Sequence, residues 1–396
     1  MPILRTFASP PKISNKKLGS AEALLGNLLA WGAGVRTGIF DTGNLGDGFS
    51  VDRSSPVHVG ALRTWLIPSA MYQQAMCTKS DGTLWSWGRN SGYGAGALGL
   101  GDFVDRSSPV QIGALTTWLT PCMAYTHGMC VKTDGTLWLW GKNNYGQLGF
   151  NNTTDTNSPV QLGNITTWSQ PTSRGQYSFC TRTDNTLWSW GQNTSGQMGT
   201  NDTIERSSPV QLGGAEWSRV EGHRYGGIAV KTAGSLWYWG SDATSIIGNA
   251  PKGRSSPAQV GSNTNWSRPT ASRRAALCTT TGGQLWAIGG NNVFGMLALN
   301  ESPGNGGLNS YRSSPIQIGA LSTWLRLAST CYSNEDSACC TKTDGTLWAW
   351  GRPNRGQIGI SSTANAYGIS SPTQIGTKTN WVLPVGSLRS FMCTTT

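Results

Sequence analysis

The chain has 396 residues, of which 53 are Gly and 19 are Trp; only 12% are charged, and the formal net charge is +11. Length alone allows two or three domains. No apolar run is long enough to span a bilayer, no long apolar core follows the first basic residues, so no secretory signal is expected, and the thinly spread charge forms no stripe of the kind that binds nucleic acid.

Residues 1–25 stand outside everything that follows. Pro10-Pro11 and the Lys, Ser and Asn content point to an extended arm. Arg5, Lys12, Lys16, Lys17 and Glu22 make it weakly basic. Two readings are open: an unstructured terminus, or a tether docked on a partner through Ile3, Leu4 and Phe7.

From residue 26 to 396 the chain repeats. One unit is a strand ending in Leu-Trp-x-Trp-Gly, as in Leu84–Gly88, Leu137–Gly141, Leu187–Gly191, Leu236–Gly240 and Leu347–Gly351. Leu28–Gly32 and Leu285–Gly289 keep the frame with Leu29 and Ile288 in place of one Trp. The closing glycines Gly32, Gly88, Gly141, Gly191, Gly240, Gly289 and Gly351 recur with a period of about fifty residues, the mark of a propeller or array. Before six of these strands stands a turn pair, such as Asp81-Gly82, Asp134-Gly135 or Asp184-Asn185. Such a pair between β-rich runs predicts a hairpin with a type I′ turn, which needs positive φ at both residues.

A second unit alternates with the first. It reads Ser-Pro-x-(Gln/His)-x-Gly and then a Trp, from Ser55–Gly60 with Trp65 to Ser371–Gly376 with Trp381, seven times in all. Every Trp therefore has a repeat address, and packing between blades is the expected role of each. The period is broken at Gly34–Thr42, Gly92–Gly101 and Leu299–Tyr311; these insertions are the default places for binding on a rigid scaffold.

The repeat opens in mid-unit. Gly26–Gly32 is the strand that follows a hairpin tip, and the strand that should precede it appears at the other end, Ser390–Thr396. The two ends must pair to complete one blade, which closes the ring and removes exposed sheet edges. The expected fold is all-β: one seven-bladed β-propeller over residues 26–396. The arm should leave it from the face that carries the hairpin tips.

Candidate chemistry is sparse. Cys77, Cys130, Cys180, Cys278, Cys340 and Cys393 share one repeat position, held by Ala229 in the remaining copy, so they read as small buried hydrophobes. Cys122, Cys331 and Cys339 have no metal-ligand spacing to a His. His58, His127 and His223 fall at non-equivalent repeat positions, and no catalytic constellation, metal or cofactor is expected. Arg53, Arg106, Arg206, Arg254 and Arg312 hold one place before Ser-Ser-Pro in five of the seven repeats, three with an acidic neighbour: Asp52, Asp105 and Glu205. Each Arg could brace a turn; together they could present a positive ring to phosphate or carboxylate groups. Asp47, Asp102 and Asp202 sit in Gly/Asn-rich turns and read as turn formers, or as weak cation holders.

Leu-Trp-x-Trp-Gly, followed by Gly141–Gly149 (GKNNYGQLG) or Gly191–Gly199 (GQNTSGQMG) and then by Arg-Ser-Ser-Pro-Val-Gln, resembles the regulator of chromosome condensation repeat. The resemblance covers residues 26–396. It implies a seven-bladed propeller of four-stranded blades with a mixed closing blade. It also implies a protein-binding role: the founding member is an exchange factor for a small GTPase and binds chromatin, and other relatives are scaffolds. Repeats of this kind also look like those of bacterial and bacteriophage surface proteins. No insertion resembles the wedge used against the GTPase, and the repeats are rich in Asn, Thr, Ser and Gly. That texture favours a non-enzymatic virus or phage particle component, assembled in the host cytoplasm, with the arm anchored on another virion protein and the propeller facing a host surface or its glycans. An intracellular scaffold or exchange factor in the cytoplasm is the alternative, and a multivalent lectin a third.

Overall fold

The computed structural model describes residues 26–396 apart from 35–42, 62, 242–252, 273–274, 290–294, 301–311, 331–336 and 361–367. The arm with Ile3, Leu4 and Phe7 lies outside the described residues, as do Cys331 and most of the Gly34–Thr42 and Leu299–Tyr311 insertions.

Blade 2 shows how the repeat folds. Its four strands are Trp118–Met123, His127–Lys132, Leu137–Gly141 and Thr156–Gln161. They pair antiparallel in chain order, with Trp118–Met123 innermost and Thr156–Gln161 outermost. Alternation places successive side chains on opposite sheet faces. In a propeller both faces of the middle strands meet a neighbouring blade, and so His127–Lys132 is buried along its whole length. Cys130 lies opposite Pro121 on one side and Trp138 on the other. That crowded three-residue layer is why the position takes a Cys or Ala. Cys77, Cys130, Cys180, Cys278, Cys340 and Cys393 are all buried free thiols.

Seven such four-stranded sheets form the ring, and their innermost strands touch one another in succession around it. The closing blade mixes the two chain ends. Leu28–Gly32 pairs with Ser390–Thr395 from Leu28↔Thr394 to Gly32↔Ser390, inside a sheet whose other strands are Arg53–His58 and Trp381–Gly386. The ring thus closes as the split repeat requires, and Gly26 takes the place of a tip glycine. The Trp118 N–H donates to Gly82 O, the Trp168 N–H to Gly135 O, and the Trp65 N–H to Gly26 O. Around all seven blades the tip residue of one blade holds the first backbone N–H of the next.

The tips themselves correct the expected turn. Only the second residue of each pair has positive φ: 77° at Gly82, 78° at Gly135, 64° at Asn185 and 79° at Gly345. The Gly135 N–H donates to Lys132 O, and the Lys132 N–H to Thr136 O. This is a three-residue loop, a type I turn whose left-handed residue forms a bulge. Asp134 is free to act with its side chain instead: its Oδ1 accepts from the Thr136 N–H at 2.9 Å and the Thr136 hydroxyl at 2.7 Å. Thr136 Oγ1 in turn accepts from the Trp138 indole N–H at 3.0 Å. The same latch recurs at Asp81, Asp184 and Asp344.

The tryptophans join blades as the repeat suggests. The Trp140 indole N–H donates to Ala97 O of the preceding blade at 2.8 Å, Trp190 to Gln147 O, Trp239 to Gln197 O and Trp350 to Met296 O. Between the other two tryptophans of a blade lies a cation: Lys132 Nζ is 3.6 Å from the Trp138 ring centroid and 4.6 Å from that of Trp118. Lys79, Arg182, Lys231 and Lys342 do the same in their blades.

Candidate interaction surface

The end of the ring opposite the tips carries the long connections between the third and fourth strands. The structure brings the predicted arginines to that end at equivalent positions. Each opens an outermost strand and lies opposite the closing glycine of its repeat: Gly32↔Arg53, Gly88↔Arg106, Gly191↔Arg206, Gly240↔Arg254 and Gly289↔Arg312. Blades 2 and 6 have Thr156 and Ile369 there.

Three of these arginines are tied to carboxylates that stand earlier in the loop. Arg53 Nη2 is 2.6 Å from Asp47 Oδ2, Arg106 Nη2 2.5 Å from Asp102 Oδ2, and Arg206 Nη2 2.8 Å from Asp202 Oδ2. Arg106 also donates to Val104 O at 2.8 Å, and Arg206 to Ile204 O at 3.0 Å. Each guanidinium therefore staples a loop while a quarter to a third of its side chain stays in solvent. Asp202 is acidified. Against the burial that would raise its pKa, the Ile204 N–H, the Thr200 hydroxyl and Arg206 together hold it below the usual carboxylate range.

The adjacent acids serve elsewhere. Asp105 Oδ1 accepts from the Asn90 N–H at 2.7 Å, and Asp52 Oδ1 accepts from the Gly34 N–H at 3.1 Å while its other oxygen meets Arg355 at 3.4 Å. Burial raises the Glu205 carboxyl. The residues that pair with the arginines, Asp47, Asp102 and Asp202, are the ones whose Gly/Asn-rich turns suggest turn formers or weak cation holders. The signal was the Asp-x-x-x-Arg spacing of Asp102–Arg106 and Asp202–Arg206, which closes a loop instead of a helical turn.

What stands out beside the staples is apolar. Phe49 is 61% exposed, Phe103 57%, Val104 59% and Ile204 61%. Phe49 lies against the Arg53 guanidinium, 5.4 Å from ring centroid to Cζ. Phe103 also borders a shallow cleft between blades 1 and 2, lined by Ala95, Lys142, Asp155, Thr156 and Asn157. Composition alone gives no hint of this, because these residues stand one or two at a time in polar loops.

The other titratable candidates are internal. His127 is buried with Nε2 2.8 Å from Ser178 Oγ, and burial pushes its pKa down to about 3. His223 stacks on Tyr238 with ring centroids 5.0 Å apart and is also lowered to about 3, chiefly by burial. His58 is exposed on its outer strand. Burial raises the thiols of Cys122 and Cys340 to about 12, which keeps them protonated and poorly nucleophilic. Among the described residues no group of three or more His, Cys, Asp or Glu could hold a metal ion, and no helix is long and apolar enough to cross a membrane.

Three segments, 81–131, 134–178 and 184–227, match the family model of the regulator of chromosome condensation (RCC1) repeat. Within these three segments the chain carries RCC1 repeats. Over 121 residues it is 34% identical to the ultraviolet-B receptor UVR8 of Arabidopsis thaliana, which covers 30% of this chain and 26% of that protein. It is 35% identical over 72 residues to the X-linked retinitis pigmentosa GTPase regulator homolog of Caenorhabditis elegans, 17% of this chain and 5% of that one. The matched stretches thus span about a quarter or less of these relatives. Among solved structures, the chain is similar to yeast RCC1 (Prp20) bound to Kap60, with a TM-score of 0.76 at 13% identity over 99% of this chain and 96% of that one. Human WBSCR16 gives 0.74 at 17% identity over 93% and 98%. Prp20p of Saccharomyces cerevisiae, a structure reported with its binding to Gsp1p and histones, gives 0.74 at 14% identity over 93% and 91%. These likenesses show a propeller of the same fold beyond the three matched segments.

Proposed function

We propose that this RCC1-repeat propeller is a non-enzymatic docking platform, an interaction scaffold of the chromosome-condensation-regulator type, which takes a protein partner on its long-loop face. The observation that carries the reading is the pairing of exposed apolar residues with arginines held rigid: Phe49 beside Arg53, Phe103 and Val104 beside Arg106, Ile204 beside Arg206. Aromatic and Arg side chains are enriched where protein interfaces concentrate their energy, and a preorganised Arg loses little freedom on binding. The partners in the names of Prp20 structures, Gsp1p, histones and Kap60, support protein binding by a propeller of this shape. Arg254 and Arg312 extend the same ring and are proposed as part of the binding face.

The arm is proposed as a second attachment point. Gly26 sits at a tip, on the face opposite the long loops, and a tether attached there would leave the loop face open. A virion or phage particle of bacterial-surface type, with a virion protein or host glycan as partner, rests on the polar texture of the repeats; the relatives named above add nothing to it, and it ranks behind the scaffold reading.

The test is capture from native source material with the full chain, a Phe103→Asp/Ile204→Asp variant and a chain lacking residues 1–25. The expected result is a protein partner retained by the truncated chain and lost by the double variant, with both folded by circular dichroism. If the captured protein is a small GTPase, accelerated nucleotide release places the chain with the exchange factors. Loss of the partner on truncation, with full retention by the double variant, would overturn the loop-face reading and move the particle-anchor reading ahead.

A further inference from the structure

The third residue of the innermost strand, two after its Trp, changes character around the ring. It is Ile67, Thr120, Gln170 and Leu383 in four blades, and Arg219, Arg268 and Arg326 in the three consecutive blades 4, 5 and 6. The three arginines share one register. Each lies just past the bulge at the strand start, with Arg219↔Val230, Arg268↔Thr279 and Arg326↔Thr341 as partners. They therefore stand at one height on three adjacent innermost strands, close to the tip end of the central channel.

Their surroundings do not neutralise them. Arg326 is only 6% exposed. Among the described residues none of the three donates a hydrogen bond or forms an ion pair, although an Arg buried to this degree almost always has a partner. Deeper in the channel the polar groups are matched: Arg174 from blade 3 reaches across to Ser329 O of blade 6 at 2.7 Å, Thr270 Oγ1 meets Ser329 Oγ at 2.9 Å, and the buried Glu221 accepts from the Thr172 hydroxyl at 3.4 Å. Among the described residues, Glu221 is the carboxylate that acts on the group, and it feels Arg174 and Arg219. Arg268 and Arg326 have no carboxylate among the groups that act on them. Burial first, then mutual repulsion, lowers Arg268 to about 9 and Arg326 to about 10. Arg219 contributes to the lowering of Arg326 although a whole blade separates their strands.

We propose that the tip end of the central channel is a binding site for a phosphate group, held by Arg219, Arg268 and Arg326. Low-dielectric walls lined by one sign of charge concentrate counter-ions. Guanidinium forks match the edges of a phosphate, and a doubly charged tetrahedral group can receive donors from three strands at once, whereas a planar carboxylate is satisfied by one fork. The same chemistry could arrive as free phosphate or as a phosphorylated side chain entering from the tip face.

The experiment uses the full chain at constant ionic strength, titrated with inorganic phosphate, with acetate and chloride as controls. Phosphorus NMR reads binding directly and thermal melting reads linkage. The expected result is a saturable rise in melting temperature and phosphate line broadening for the wild type, both larger than with acetate. Arg268→Gln should weaken phosphate binding by about tenfold or more, from loss of one charged hydrogen-bonding group. In phosphate-free buffer it should melt no lower than the wild type, because a repelling charge has been removed. His58→Gln, exposed on an outermost strand away from the channel, should bind as the wild type does. Phosphoserine binding more tightly than free phosphate, with serine inert, would identify a modified partner as the source; the reverse order identifies the free ion. A wild type with no phosphate response beyond chloride, or an Arg268→Gln chain that binds equally well, overturns the site. If Arg268→Gln does not fold, Arg326→Lys under the same NMR measurement decides.

Discussion

The two ends of the ring are built by different means. At the tip end four blades repeat one local circuit, as in Asp134 to Thr136 to Trp138, and the tip residue of every blade holds the next blade's backbone. At the long-loop end the ties reach between blades, as where the Asn151 N–H donates to Ser207 O and the Trp190 indole to Gln147 O. Local circuits tolerate little change, because the Asp oxygen and the Thr hydroxyl are each used twice. Loops tied by a few staples leave side chains such as Phe103 and Ile204 outside, where they can meet something else. The stiff end keeps the ring; the other end varies and can bind.

Breaking the ring itself should have the largest effect. Deleting residues 390–396 removes the strand that joins Leu28–Gly32 to Trp381–Gly386. The expected outcome is loss of the cooperative thermal transition in circular dichroism, since two open sheet edges and their apolar faces would be exposed.

The next contrast sets one glycine against another. Gly135 has φ +78°, and a Cβ there would lie 2.1 Å from Thr166 O of the next blade's lead-in; Gly113 has φ +57° with nothing within 4 Å. Gly135→Ala should cost about 2–4 kcal/mol and Gly113→Ala about 1 kcal/mol in urea unfolding. Equal costs would mean that the tips do not lock neighbouring blades.

Acid should act at both ends in sequence. His127 and His223 are held neutral with pKa values near 3, against 6.5 in an unfolded chain. The unfolded state then binds more protons, so their share of stability is complete above 6.5 and is lost as pH falls from there toward 3. The tip carboxylates Asp134 and Asp344 are lowered, first by their Thr hydroxyls, so their share is present above 3.8 and fades only below it. His127→Gln should flatten the stability slope between about pH 7 and pH 5 and leave the more acidic limb unchanged. A slope that His127→Gln leaves as steep would place its origin elsewhere.

A staple on the loop face should matter least to folding. Asp202→Asn breaks the exposed pair with Arg206 and should cost less than about 1 kcal/mol. Its effect should appear in partner capture instead, because the freed Arg206 loses its fixed direction.

Much of this was open to reading in the linear chain. The split unit at Gly26–Gly32 and Ser390–Thr396 forced the ring to close through its ends. The shared Cys position announced a small buried site. Both follow from pairing rules of period two along a repeated strand, which need no knowledge of distant contacts. The tip turn was misread for a specific reason. An Asp-Gly pair signals a tight turn, but whether both residues or only the second go left-handed depends on which backbone groups bond, and here Lys132 pairs with Thr136 across one extra residue. The arginine ring was visible as a row of equal positions, and its carboxylates were hidden because the pairing runs backwards through an irregular loop.

By itself the sequence determined the blade: strand, tip, strand, Trp spacing and a count of seven, all properties of neighbours along the chain. Only the tertiary structure decided what the blades share. That Arg219, Arg268 and Arg326 stand at one register on adjacent innermost strands is a consequence of the ring, which brings equivalent positions to one height around a single axis. That Phe49, Phe103 and Ile204 stay exposed is likewise fixed by what packs beside them, because burial depends on neighbours in space and not on residue type.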